Sequence, residues 1–325
     1  MSTQNMFRLG LFALVIGALL LGPYWASRGS MRLLIDVFYF LALAQIWNLL
    51  AGYSGLISVG QQAFVGLGGY LIFSLAMFAG VPVLIGLPLA GLLTALIAWP
   101  TAFVAFRLSG PYFAIGTWVI AEVYRLVFAQ IPALGGGSGI SLPAGIVKAM
   151  ASSRSARESM TYWIALGIML AVVLGIWALM RSRVGLSLSA MRDDDEAAIS
   201  VGVETRKLKF LIYIATAGIT GLIGALIFLQ KLRVTPDAAF SVNEWSVLVI
   251  FIVVIGGIGT LEGPILGIIL FFVLREFLAD LGSWYMVILG TVSVVIILVE
   301  PKGLWGLIQR WKPVSLFPVT RRSDG

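Results

Sequence analysis

Apolar residues in this chain gather in runs of about 20 rather than alternating, and short polar or Gly/Pro-rich punctuation separates the runs. Runs of that length suit helices that cross a bilayer, since a helix satisfies its own backbone where no water can. In the first half the pattern predicts spans near 7–24, 33–50, 60–79, 83–106 and 112–129, and in the second near 161–181, 208–230, 245–257, 264–280 and 284–299. The expected fold is all-α: a single polytopic membrane domain over 1–325 with about ten spanning helices, in a range of about eight to ten. The segments around 245–280 are short and broken by Gly and Pro, which leaves open two crossings or one broken hairpin.

Composition narrows the class. Hydrophobic residues make up 60% of the chain and charged residues 11%, too little polar surface for a water-soluble body of this size. The run from Phe7 to Trp25 follows Arg8 and lacks a clean small-x-small cleavage site, so it reads as a retained first helix. The net charge of +7 falls in short loops between apolar runs. Placed there, it is an orientation signal and not a nucleic-acid footprint. Arg107, Arg181, Arg183, Arg192, Arg206, Lys207, Lys209 and Lys302 would share one side with both termini, which is therefore expected to be cytoplasmic. The segment 301–325 forms a basic cytoplasmic tail on this reading. With no Cys and no His, the commonest transition-metal ligands and the commonest general base are missing. An intramembrane enzyme would have to rely on Glu122, Ser58 and Glu262, which are scattered along the chain, and a non-enzymatic role is expected.

Two loops stand out. The one on the outer side, 131–160, opens with PALGGGSGISLP and is expected to be irregular. The inner one, 182–207, is predicted to hold a short helix. Asp193 or Asp194 caps it, Glu196, Ala197 and Ala198 continue it, and Gly202 closes it in the left-handed region. Such a helix is too polar for the bilayer and too short to stand alone in water, so it implies a protein partner unless the loop is merely solvated.

Two glycine-rich stretches, 52–70 and 254–267, interrupt apolar sequence without becoming hydrophilic. Glycine there permits either close helix packing or bare backbone lining a cavity. Ser58, Gln61 and Gln62 are polar groups of the kind that face a bundle interior or a watery path. Glu122 and Arg125, three apart on one helical face, are read first as a pair, with a substrate or gating contact as the second reading. Arg275 and Glu276, with Asp280, reach toward an interface and are given no role.

The segment Arg192-Asp193-Asp194, then Glu196-Ala197-Ala198 and, four residues on, Gly202, resembles the EAA loop of permease subunits of ATP-binding-cassette (ABC) importers. Ile212 follows at the family's spacing, but no Leu-Pro pair comes after it. The run Asn48, Leu49, Gly52, Tyr53, Gly55, Ser58, Gly60 is similar to the LivM-type permease subunits of branched-chain amino acid ABC importers. So is the later run Gly256, Gly257, Gly259, Thr260, Gly263, Pro264, Gly267, with Pro111-Tyr112-Phe113 between them.

The resemblance implies a transport subunit in a bacterial inner membrane, working with a second and different permease subunit, two cytoplasmic ATPase subunits and an external solute-binding protein. It implies coupling to the ATPases through Arg192, Asp193, Asp194, Glu196, Ala197, Ala198 and Gly202. It further implies a translocation path near Gly52, Tyr53, Gly55, Ser58, Gly60, Gln61, Gly256, Gly257 and Gly259. Relatives on this scaffold also import urea or short amides, and an ATP-independent transporter or channel would use Gly-broken spans equally. No Gly-Lys pair occurs, hence no phosphate loop. The chain is expected to hold no cofactor, with ATP and magnesium bound by the partner ATPases.

Overall fold

The computed structural model describes residues 16–311 apart from 152, 279–281 and 283. Helix α1 (Arg28–Asn48) starts at Ser27, whose hydroxyl accepts from the Ser30 amide at 3.2 Å, and runs on into a π turn at Leu49–Tyr53. An irregular stretch then leads to α2 (Gln61–Met77), α3 (Val83–Ala105) and α4 (Pro111–Ala129), the last with proline at its first position, where no amide partner is lost. A short helix α5 (Ala144–Met150) precedes α6 (Arg154–Met180). The inner loop folds as α7 (Arg183–Asp193) and α8 (Asp195–Ser200) before α9 (Thr205–Lys231). The chain continues through α10 (Pro236–Ala239), a π turn (Asn243–Val247) and α11 (Leu248–Gly256). It ends with α12 (Glu262–Leu278), α13 (Trp284–Val299) and α14 (Gly303–Trp311).

Helix α9 is the axis, packed against both α2 and α3. Lipid offers no hydrophobic drive for helices to associate, so close backbone approach through small residues takes its place. A Cβ on Gly68 would fall 1.8 Å from the Gly221 carbonyl oxygen, and one on Gly221 would fall 2.3 Å from Thr94 Oγ1. Those contacts leave room only for glycine. Outward faces of α3 and α4 remain aliphatic and aromatic, with Leu92, Leu96, Phe103, Trp118 and Val119 exposed. A face of that kind belongs in lipid or against another membrane subunit.

Among the described residues six helices are long and apolar enough to cross a membrane, or seven if the bent pair 287–299 and 303–311 counts as one, so the expected count of about ten is not confirmed. The predicted first span begins outside the described residues, and the 17-residue α2 starts inside the bundle. The segments 236–256 and 262–278 form a hairpin of two helices joined by a tight turn, and of the two only 236–256 is among the six. The loop 131–160 is also less irregular than expected. Its strand β1 (Ile140–Ser141) pairs antiparallel with β2 (Arg233–Val234), and Ser153 caps α6, whose first turns take in 154–160. Within the basic tail, residues 303–311 form α14, which is packed against α11 and α12; residues 312–325 lie outside the described residues.

Candidate functional site

After the π turn the chain doubles back. The Trp47 indole donates to the Ser58 carbonyl at 2.7 Å, and Gln61 Nε2 reaches the Leu43 carbonyl at 3.2 Å. Residues 54–60 therefore retrace the last turns of α1, and α2 begins beside Leu43, about 22 Å along α1 from Arg28. A helix N-terminus is thereby held in the bundle interior, the arrangement by which discontinuous helices present polar backbone at membrane depth. Gln62 at this end accepts a hydrogen bond from the Ser246 hydroxyl. Gln61 Oε1 and Gln45 Oε1 are buried there without a hydrogen-bond partner among the described residues.

The second break, between α11 and α12, meets the first. The buried Asn48 amide donates to the Thr260 carbonyl at 2.8 Å and accepts from the Gly259 amide at 2.8 Å, while Gln45 donates to the Leu261 carbonyl at 2.7 Å. Two side chains of α1 thus satisfy the backbone of a turn that no helix satisfies. The turn depends on Gly257, at φ 128°, a conformation that L side chains rarely adopt. A Cβ on Gly52 would stand 2.5 Å from the Gly259 nitrogen, so the two breaks touch backbone to backbone at this crossing.

The inner loop abuts the same place. Asp194 leaves helical geometry (φ −160°, ψ 115°), and its carboxylate accepts from the Glu196 amide at 2.9 Å and the Ala197 amide at 3.0 Å, capping α8. Gly202 closes the helix at φ 87°, with the Val203 amide returning to the Ala198 carbonyl at 3.0 Å. Lys209 reaches back from α9 to Asp195 at 2.5 Å. Only Ala198 packs inward, while Glu196, Ala197, Ile199 and Val201 are exposed. An apolar tip with charged neighbours, outside any apolar layer, is suited to a protein partner. On the adjoining α7, the Arg192 guanidinium lies 3.1 Å from where a Cβ on Gly259 would be, and α7 packs on the π turn. Arg192 and Glu262 are both within electrostatic reach of Tyr53.

At the opposite ends of α1, α6, α9 and α12 a cavity of about 820 Å³ opens. Phe40, Trp245 and Phe271 close its floor, with Phe40–Trp245 and Phe40–Phe271 ring centres 6.1 and 5.9 Å apart. Charged groups form the wall. Arg32 binds Glu158 tightly at 2.6 Å, while Lys231 stands 3.5 Å from Glu244 and Arg275 stands 3.8 Å from Asp36.

The residues expected to couple therefore gather around α8, though the Asp193 side chain lies outside the described residues. Of those expected on the path, Gly52, Tyr53, Ser58, Gly60, Gln61, Gly256, Gly257 and Gly259 cluster in or beside the crossing. Gly55 is exposed at the outward bend, with φ 69°. None of them lines the cavity, whose residues the sequence reading passed over: Asp36, Lys231, Glu244 and Arg275 sit near helix ends, where charge is unremarked. Glu122 and Arg125 do pair, at 2.5 Å, and Arg125 gains a second carboxylate, Asp237, at 2.7 Å.

A helical bundle with six or seven helices able to cross a membrane, and with two glycine breaks meeting in its interior, defines a multi-pass membrane protein. The family described as branched-chain amino acid transport system / permease component matches residues 30–298, and the chain belongs to it. It is 29% identical to the high-affinity branched-chain amino acid transport system permease protein LivM of Escherichia coli (strain K12), over 98% of this chain and 76% of that protein. To the protein of the same description from Salmonella typhimurium (strain LT2) it is 30% identical over the same shares. No solved structure matches.

Proposed function

We propose that this subunit carries branched-chain and other hydrophobic amino acids across the bacterial inner membrane and is driven by separate ATPase subunits seated on α8. The observation that carries the reading is the approach of Arg192 to Gly259, within 3.1 Å of where a Cβ would stand, together with the packing of α7 on the π turn, which links the exposed capped helix to the meeting point of both breaks. Displacement of α8 by a closing ATPase pair would move α7, and α7 would press on or release the crossing. The crossing is then the shut gate of a path between the cavity and the α8 end, and Gln45 and Gln61 offer free acceptors to a passing ammonium group. A second permease subunit covers an exposed apolar face, a solute-binding protein delivers substrate at the cavity end, and both termini lie on the ATPase side.

Reconstitution of the chain with its partner subunits in proteoliposomes tests this. Uptake of leucine or valine that requires ATP and the binding protein, with urea and acetamide left outside, is the expected result. Uptake of the amides instead would move the substrate class, and uptake indifferent to ATP would replace the importer by a secondary transporter.

A further inference from the structure

The cavity at the end opposite α8 carries chemistry that the gate does not use. A lipid-facing or packing role would favour neutral walls, whereas this wall combines Arg32, Arg154, Arg157, Lys231 and Arg275 with Asp36, Glu158 and Glu244. Not all are equally engaged. The Arg32–Glu158 pair has the 2.6 Å separation of a strong charge-assisted bond, but Lys231–Glu244 at 3.5 Å and Arg275–Asp36 at 3.8 Å are well beyond it. Asp36 Oδ1 takes the Tyr39 hydroxyl at 2.9 Å, which leaves Oδ2 facing Arg275 across the gap. Lys231 lies within electrostatic reach of Asp36 as well, and its ammonium sits 4.9 Å from the centre of the Trp245 ring. Two loose ion pairs thus flank an aromatic floor.

Resting on the importer reading above, we infer that this vestibule is a binding site for a free hydrophobic α-amino acid in its zwitterionic form. Asp36 and Glu244 receive the ammonium group, Arg275 and Lys231 receive the carboxylate, and Phe40, Trp245 and Phe271 take the aliphatic side chain. A zwitterion matches the wall because it inserts into both gaps at once and leaves each protein charge with a closer counter-ion. A plain anion would satisfy the cations while leaving the carboxylates facing like charge, and a plain amine would do the reverse. The volume is within the range of small-molecule sites, and a mostly apolar floor with a few convergent polar groups is their usual construction. The vestibule would hold the substrate released by the binding protein until the crossing opens. Ser246, one residue past the floor residue Trp245, already bonds Gln62 at the start of α2, so the floor and the interior helix end are connected.

The test uses the assembled complex in lipid nanodiscs without the binding protein, with tritiated leucine as the probe. Saturable binding is expected, weakened about tenfold or more in Asp36→Asn and in Arg275→Gln, and kept closer to wild type in Asp36→Glu. On the wild-type complex alone, 4-methyl-2-hydroxypentanoate, which lacks the ammonium group, and isoamylamine, which lacks the carboxylate, should each compete at least about tenfold more weakly than leucine. Equal competition by either analogue, or no saturable leucine binding up to about 10 mM, overturns the site. So does a pair of folded variants that bind as wild type does, including the case where they slow uptake only by failing to dock the binding protein. Intrinsic tryptophan melting establishes that each variant is folded. If the complex imports leucine but shows none of these effects, the vestibule assignment fails and the importer stands. If it imports no amino acid under any condition, the importer reading itself fails.

Discussion

The two ends of the bundle are built on opposite plans. At the α8 end the two breaks meet backbone to backbone: Gly52 lies on Gly259, both ends of the Asn48 amide are used, and the Arg192 guanidinium stands beside Gly259. At the other end a cavity of about 820 Å³ is walled by charges, two of whose pairs stand at 3.5 and 3.8 Å. Dense packing transmits displacement because its members cannot shift independently, whereas a loosely paired wall can exchange partners with a ligand. One end is suited to receiving force and the other to receiving a molecule. The difference follows from residue choice, since small and amide side chains let backbones touch while long charged side chains hold them apart.

Substitutions can break that contrast, and the largest effect is expected at the crossing. Asn48→Leu removes both bonds and leaves the Gly259 amide and Thr260 carbonyl buried without partners, a loss of about 2–5 kcal/mol. Uptake should fall to background and the tryptophan melting transition should drop; wild-type uptake in this variant would show that the crossing is not a gate. Asp194→Ala removes the α8 cap, worth about 1–2 kcal/mol, and should lower recovery of ATPase subunits on affinity purification while leaving the melting of the transmembrane body unchanged. Gly202→Ala forces a side chain into φ 87° at a cost of about 1 kcal/mol and should weaken ATPase recovery less, with the same readout. The smallest effect belongs to the Arg32–Glu158 pair, whose arginine is half exposed. Arg32→Gln should change stability by no more than about 1 kcal/mol, measured by the same melting experiment.

What could be read from the sequence divides along the range of the interactions. The cap, expected at Asp193 or Asp194 and found at Asp194, and the left-handed closure at Gly202 obey rules that span a few residues. The contact of Asn48 with Gly259 joins positions 211 apart, and no local rule pairs them, although both fell within family-like motifs. Helix count is hard to read locally for a related reason: α2 begins beside Leu43 inside the bundle, yet its apolar run looks the same as one that crosses from face to face. The vestibule was the least legible part. Asp36, Lys231, Glu244 and Arg275 each look like ordinary helix-end charges, and only the fold shows that they share one wall.

The contrast between the two ends is tested most directly by where an ATPase touches the chain. The sequence has no cysteine, so Ile199→Cys on exposed α8 and Arg157→Cys on the cavity wall each place a single reactive thiol in the subunit. In the assembled complex, a short bifunctional thiol cross-linker should join the Ile199 variant to an ATPase subunit, with a yield that changes between nucleotide-free and ATP-trapped states, and should never join the Arg157 variant to one. ATPase cross-links from Arg157, or none from Ile199 in a complex that retains its ATPases, would contradict the assignment of force to the α8 end.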